Sequence, residues 1–137
     1  MENQVLAKSI KIFIQNGNET NEYTITYPKV GNIIDIENRK MLLSNNRYSH
    51  LVQSELVGAA LAADMIEIIC VMGILIPDLL KDLRVDSIID LGPIEMKNLI
   101  KVYRNDIAPW YYKWIEEFKD LEEPHKPQSE NKDEEIK

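Results

Sequence analysis

Two short runs of alternating apolar and polar residues open the chain. The first, SIKIFI at residues 9–14, places three isoleucines on one side of an extended backbone, and the second, EYTITY at residues 22–27, alternates in the same way. Between them lies an Asn-Gly-Asn sequence at residues 16–18, which favours a turn because Gly and Asn accept positive φ. The pattern predicts a β-hairpin over residues 9–27, with a loop from Gln15 to Asn21.

After Pro28 the pattern changes from a strand period to a helical one. Pro28 ends the second strand because it has no N–H to donate, and Asn32 is a suitable cap for a helix that ends at Asn45 and Asn46. The apolar residues of this helix fall within about half of its circumference. They are Ile33, Ile34, Ile36, Met41 and Leu43.

The fold class predicted from these patterns is α+β. We expect an N-terminal β-hairpin followed by a mainly α-helical bundle of about four helices, at about residues 32–44, 49–76, 93–105 and 108–119.

The longest predicted helix, at residues 49–76, is apolar enough to raise the question of a membrane span. Asp64 and Glu67 lie near its middle, and an Asp-like charge there costs about 2.5–3.5 kcal/mol on insertion, so we expect no membrane and a helix buried in protein on most sides. Gln53, Ala60 and the two acids share one stripe, which is the expected solvent-facing seam. The nine residues after Glu67 are apolar or glycine, and we expect this chain or a partner to enclose them.

Aromatic residues crowd the last predicted helix. Trp110, Trp114 and Phe118 repeat at i, i+4 and i+8, with Tyr111 beside them. Such a stripe is typical of a core face, and aromatic side chains also anchor interfaces, so both interpretations stay open. The candidate partner-binding residues are Val71, Ile74, Leu75, Trp110, Tyr111, Trp114 and Phe118.

Length and charge set further bounds. The 137 residues suffice for one domain, predicted over residues 1–121. Of the net charge of −7, residues 122–137 contribute −3 from six acids and three lysines, which leaves −4 for the rest. Those sixteen residues hold one apolar side chain and are predicted to form an acidic disordered tail.

An acidic chain without a basic stripe argues against nucleic acid binding. The N-terminus carries no apparent signal peptide, so we expect a cytoplasmic protein.

Few side chains suit catalysis. One cysteine, Cys70, and two histidines, His50 and His125, predict no metal ligand set, no cofactor site and no catalytic triad. Cys70 lies in an apolar run, which favours a buried thiol over a reactive one. The carboxylates Asp64 and Glu67 mark the exposed seam, pair with Arg or Lys across the core, or form a general acid/base pair.

Three stretches together resemble a known family. They are EYTITYPKVGNIIDIENRKMLLSNNRY (residues 22–48), DMIEIICVMGILIPDLL (residues 64–80) and NLIKVYRNDIAPWYYKWIEE (residues 98–117). In this order, over about residues 10–118, the chain resembles small proteins of tailed bacteriophages that are assigned as tail assembly chaperones. Where that pattern leads us to expect a glycine after the first helix, this chain has Asn45 and Asn46, and Asn accepts the same backbone conformation.

The resemblance implies a non-enzymatic protein of the host cytoplasm that binds the tape-measure protein while a phage tail is built. It would cover the apolar helices of that partner and leave as tail tube subunits polymerise around it. Tail tube subunits and a second copy of the chain are further partners that it allows. Two other classes stay open, namely a structural virion component, such as a tail or connector subunit, and an enzyme that uses Asp64 and Glu67.

Overall fold

A computed structural model describes residues 6–122. A two-stranded antiparallel hairpin is followed by helices, which confirms the predicted α+β class. The predicted tail lies outside the described residues, apart from Glu122 at the end of the last helix. The elements are β1 (Ser9–Asn16), β2 (Glu19–Thr26), α1 (Val30–Leu43), α2 (Tyr48–Gln53), α3 (Val57–Leu75), α4 (Asp78–Leu83), a 3-10 turn (Ile88–Asp90), α5 (Pro93–Val102), a π-helical turn (Tyr103–Ile107) and α6 (Ala108–Glu122).

The hairpin forms where the alternation predicts it, but its loop is shorter than expected. β1 and β2 pair as far as Asn16 with Glu19, which leaves Gly17 and Asn18 as the loop. Gly17 has a φ of 67°, a conformation that glycine adopts without strain. One face of the sheet is buried in the core. Its buried side chains are Ile12, Ile14, Tyr23 and Ile25.

The ends of α1 are set by two kinds of cap. Lys29 is the N-cap residue, and Asn32 lies inside the helix, where its side-chain oxygen accepts a hydrogen bond from the Lys29 backbone N–H at 2.8 Å. At the other end Asn45 and Asn46 have φ values of 55° and 63°, and their N–H groups bond to carbonyls of the last turn. The prediction that these asparagines end the helix is confirmed.

α1 buries a narrow face. Ile36 is buried together with Lys40, whose Nζ pairs with Glu37 at 3.0 Å and lies over the Tyr48 ring. These partners compensate the inward lysine charge. The rest of the apolar half of α1 does not all reach the core. Three of its residues, Ile34, Met41 and Leu43, are exposed.

The helix predicted over residues 49–76 is two helices. α2 ends at Gln53 and α3 begins at Val57, and Ser54 between them is extended, with a ψ of 145°. The Ser54 hydroxyl accepts a hydrogen bond from the Leu56 backbone N–H at 3.1 Å, a local bond that competes with helix formation. The prediction of one continuous helix was wrong because neither Gly nor Pro marks this break.

The last two predicted helices are joined, and an extra one precedes them. α5 passes through the π turn directly into α6, so residues 93–122 form one helix with a single wide turn. Pro109 cannot donate to the carbonyl four residues earlier, and the wide turn just before it accommodates that missing bond. The expectation of a separate helix starting at residue 108 was wrong. The prediction also missed α4.

One hydrophobic cluster joins the inner face of the hairpin, the second half of α3 and the α5–α6 helix. α1 and α2 pack on α3, while α5 packs on β1. The buried side chains of α3 all lie from Ala63 onward. The expectation of a helix buried on most sides therefore holds only for the second half of α3.

Candidate functional site

Six of the seven residues predicted to bind a partner lie in or against the chain's own core, and the seventh, Phe118, is partly buried outside it. Val71, Trp110 and Tyr111 are buried, and the others are partly buried. The partly buried ones are Ile74, Leu75, Trp114 and Phe118. A partner could reach the three buried side chains only if the core opened, so in this conformation they stabilise the fold. Sequence alone does not separate the two roles, because core and interface are both apolar at helical spacing.

The two tryptophans of α6 bind this chain's own backbone. The indole Nε1 atoms of Trp110 and Trp114 donate to the Ala7 carbonyl at 2.7 and 3.1 Å. The Tyr27 ring stacks on Trp114, with ring centroids 5.0 Å apart. The aromatic stripe thus holds the segment before β1 and the end of β2 against α6.

Three tyrosine hydroxyls converge on the carboxylate of Glu67, halfway along α3. Tyr48 of α2 donates at 3.3 Å, Tyr103 of the π turn donates at 2.5 Å, and Tyr112 of α6 donates as well. Tyr103 is buried, Glu67 and Tyr48 are half-buried, and Tyr112 is exposed. One side chain therefore links α3 to three other parts of the chain.

The π turn explains how two of these tyrosines reach one carboxylate. Residues nine apart in a regular α-helix, such as Tyr103 and Tyr112, are separated by about two and a half turns and point in opposite directions. The π turn takes up one extra residue, which reduces the separation to about 2.2 turns. The two hydroxyls then lie on neighbouring faces and both meet Glu67.

The electrostatics of the cluster favour neutral hydroxyl donors. Burial, followed by the charge of Glu67 and its hydrogen bond, raises the pKa of Tyr48 and of Tyr103 above the ordinary tyrosine value. Burial and the hydrogen bond to Glu67 likewise raise the pKa of Tyr112. All three groups keep their protons at neutral pH and donate to the carboxylate. The arrangement is suited to holding helices together.

The second carboxylate has a separate partner. Asp64 is exposed and accepts a hydrogen bond from the Arg104 guanidinium of the π turn at 2.9 Å. This agrees with two of the interpretations made from the sequence, an exposed seam and an ion pair with a basic residue. The tyrosine partners of Glu67 were not predicted, because Tyr48, Tyr103 and Tyr112 lie far apart in sequence and share no motif.

The lone thiol is shielded. Cys70 is buried, as predicted, and burial raises its pKa to about 11, so the thiol is protonated at neutral pH. Within residues 6–122 there is no group of three or more His, Cys, Asp or Glu side chains that could hold a metal ion.

Exposed apolar side chains concentrate in one part of the chain, hereafter the 30–61 surface. Nine of the fourteen large hydrophobic residues that are exposed within the described part lie between residues 30 and 61, on α1, α2 and the first half of α3. Leu56 and Val57 are 72% and 83% exposed. The nine are Val30, Ile34, Met41, Leu42, Leu43, Val52, Leu56, Val57 and Leu61. The sequence pattern missed this surface because the same residues suit a buried helix.

The 30–61 surface carries no net charge. Three basic residues between positions 30 and 61, namely Arg39, Lys40 and Arg47, balance three acids, Asp35, Glu37 and Glu55. The net charge of −7 therefore lies elsewhere in the chain. Within residues 6–122, α3 is the one helix long and apolar enough to cross a membrane by length and composition, and 28% of its most apolar stretch is buried.

Comparison with protein-family models, with curated proteins and with solved structures finds no match to this chain. The 30–61 surface and the Glu67 cluster are therefore the features from which a function is inferred. The first exposes apolar side chains to solvent, and the second ties α2, the π turn and α6 to α3.

Proposed function

We propose that this protein is a non-enzymatic tail assembly chaperone, which binds the apolar, helical tape-measure protein of a tailed bacteriophage in the host cytoplasm. The observation that carries the proposal is the 30–61 surface. Single exposed hydrophobic residues are ordinary on a protein, and it is the concentration of nine of them within 32 consecutive residues from which we infer an interaction surface.

The spacing of the exposed residues favours a helical partner. Val30, Ile34 and Met41 fall on one stripe of α1, and Val57 and Leu61 follow each other by one turn on α3. Exposed stripes of this kind pack against another apolar helix by the same contacts that join helices inside a protein. The absence of net charge on this segment favours an uncharged partner surface.

The acidic remainder of the chain suits the same role. The net charge of −7 lies outside residues 30–61. Complexes of the chaperone with the tape-measure protein, hereafter the client, would therefore repel one another and stay in solution. The resemblance adds the sequence of events, in which the chaperone covers the client until tail tube subunits polymerise around it and take its place.

Co-expression with the tape-measure protein of the same genome tests the proposal. We expect the client to appear in the soluble fraction and to co-purify with the wild-type chain. Replacing Leu56 and Val57 together by Ser should reduce the co-purified client about tenfold or more, because both side chains would lose their contact area.

A matched control uses Ile94 on α5, which is 75% exposed and lies outside the 30–61 surface. Ile94→Ser should leave co-purification unchanged. Failure of the wild-type chain to solubilise or retain the client would contradict the proposal. Presence of the chain in purified virions would favour the structural component instead, since a chaperone leaves before the tail is complete.

A further inference from the structure

The outer edge of β2 has no neighbouring strand. The sheet consists of β1 and β2 alone, so each strand pairs on one side only. α5 packs on β1, whereas no element within residues 6–122 packs extensively on β2 apart from β1 itself. A strand edge of this kind presents backbone groups that a further strand can bind.

The register of the hairpin shows which backbone groups of β2 point outward. The Tyr27 N–H donates to the Lys8 carbonyl at 2.9 Å, in the same register that places Ile25 opposite Ile10. Hydrogen-bonded residues of an antiparallel pair alternate with residues whose N–H and C=O groups point away from the partner strand. No backbone hydrogen bond outside the hairpin, within residues 6–122, uses the groups that point away. The outward-facing residues of β2 are therefore Thr20, Glu22, Thr24 and Thr26.

β2 lacks most of the features that usually protect an edge strand. Such strands carry a proline, a bulge or several charged side chains. The pairing of β2 runs without a bulge along all eight residues, and Pro28 follows only after the strand has ended. Three of the four outward-facing residues are threonines, and the charge of Glu22 is paired with Lys11 at 3.5 Å. Since the four side chains are exposed, the edge is accessible.

The hairpin does not share the negative charge of the chain. Residues 8–29 hold three lysines, Lys8, Lys11 and Lys29, and two acids, Glu19 and Glu22, which gives a net charge of +1. The net charge of −7 is therefore carried by other parts of the chain. Two hairpins of this charge can approach each other edge to edge without strong repulsion.

We propose that two copies of this chain associate through β2, edge to edge and antiparallel, and so form a continuous four-stranded sheet. The inference goes beyond the proposed function and does not depend on it, because β2 lies outside the 30–61 surface. A two-fold axis brings the same strand to both sides of the interface. The outward N–H and C=O groups of each β2 then find their partners on the other copy.

Side-chain pairing favours one register of the two β2 strands. An axis at Glu22 would place two carboxylates directly opposite each other, which is unfavourable. An axis at Tyr23 would place Ile25 opposite Asn21 of the second copy. An axis at Thr24 places Tyr23 opposite Ile25 of the second copy, and a pair of an aromatic and a β-branched side chain stabilises a sheet. We therefore expect Thr24 to face Thr24 of the second copy.

Disulfide formation between copies tests this register. In Thr24→Cys the two Cα atoms would lie about 5.5 Å apart, which a disulfide can span. Thr20→Cys is the matched control, because Thr20 is exposed on the same edge and its two copies would lie about 27 Å apart, eight residues out of register. Under mild oxidation Thr24→Cys should form the covalent dimer at least about tenfold faster than Thr20→Cys. Equal rates, or a faster Thr20→Cys, would overturn the inference. Cys70 is buried in both variants and does not compete.

Sedimentation measured over a range of concentrations tests the association itself. The mass of the wild-type chain should rise from one copy to two with concentration. Thr24→Lys should raise the dissociation constant of the dimer about tenfold or more, because two ammonium groups would face each other, while Thr20→Lys should leave it unchanged. A wild-type chain that stays monomeric up to about 1 mM would overturn the inference. Loss of association in Leu42→Glu and not in Thr24→Lys would overturn it as well, because the copies would then meet through the 30–61 surface.

Discussion

At the scale of single residues, Glu67 accepts hydroxyl hydrogen bonds from α2, the π turn and α6. We expect Glu67→Ala to lower the free energy of unfolding by about 1–3 kcal/mol, because the buried Tyr103 hydroxyl would lose its acceptor. Asp64→Ala, which breaks an exposed ion pair, should cost at most about 1 kcal/mol. Urea unfolding followed by circular dichroism measures both changes. A larger effect for Asp64→Ala would show that the exposed pair is the structural one.

Two buried tyrosines should respond in opposite directions to the same chemical change. The Tyr111 hydroxyl is buried without a hydrogen-bond partner among the described residues, whereas the Tyr103 hydroxyl donates to a carboxylate. Tyr111→Phe should raise the free energy of unfolding by about 1 kcal/mol, and Tyr103→Phe should lower it by about 1.5–3 kcal/mol. Thermal and urea unfolding of the two variants measure these changes. Changes of the same sign in the free energy of unfolding would contradict the hydrogen bonding described for the two hydroxyls.

At the scale of elements, two glycines of different conformation give a matched pair. Gly73 lies inside α3 beside a cavity of about 90 Å³, and no atom comes within 4 Å of the place where a Cβ would stand. Gly73→Ala should raise the free energy of unfolding by about 0.5–1 kcal/mol. Gly17→Ala should lower it by about 1–2 kcal/mol, because the hairpin loop holds a φ of 67° there. The urea unfolding midpoints of the two variants are compared with that of the wild type. A destabilising Gly73→Ala would mean that α3 has no space for a Cβ at position 73.

The elements differ in how well the sequence predicts them. The hairpin was predictable because its alternation and its Asn-Gly-Asn turn are local signals, and the end of α1 at Asn45 and Asn46 is local as well. The break between α2 and α3 was not, because it depends on the Ser54 hydroxyl taking the Leu56 N–H in place of a helical bond. Short-range patterns carry no sign of such a choice.

The candidate site was the harder part to predict. The pattern placed apolar residues on α3 correctly as a helix, but it did not distinguish the buried second half from the exposed Leu56, Val57 and Leu61. That distinction depends on tertiary packing, since the residues of α3 that join the common core all lie from Ala63 onward, and the local pattern does not encode which part of a helix is covered. The Glu67 cluster likewise depends on the π turn, which brings residues from distant parts of the chain together.

At the scale of the whole molecule, we expect stability to fall above about pH 10. Burial, together with the hydrogen bond to Asp82, raises the pKa of Tyr23 to about 12, and four other tyrosines are raised as well. An unfolded chain loses its tyrosine protons near pH 10, so the folded state binds more protons above that pH, and its stability decreases as pH rises.

The urea midpoints of unfolding, measured from neutral to alkaline pH, test the predicted fall in stability, and the Tyr23→Phe variant serves as the comparison. The stability of the wild type should decrease slightly from about pH 8.5, where the Cys70 thiol of the unfolded chain ionises, and should drop more steeply from about pH 10 through pH 12, while the variant should show a shallower slope in that upper window. Stability that rises with alkaline pH would contradict the buried state of these hydroxyls.

The central claim is that the 30–61 surface binds an apolar helical client. The affinity of the purified chain for the tape-measure protein tests it most directly. Leu42→Glu on α1 is compared with Ile94→Glu on α5, because Leu42 and Ile94 are exposed to nearly the same extent, 73% and 75%. We predict at least about tenfold weaker binding for Leu42→Glu and unchanged binding for Ile94→Glu, because a charge within an apolar contact must lose its water. Binding that is equally strong in both variants and the wild type would contradict the claim.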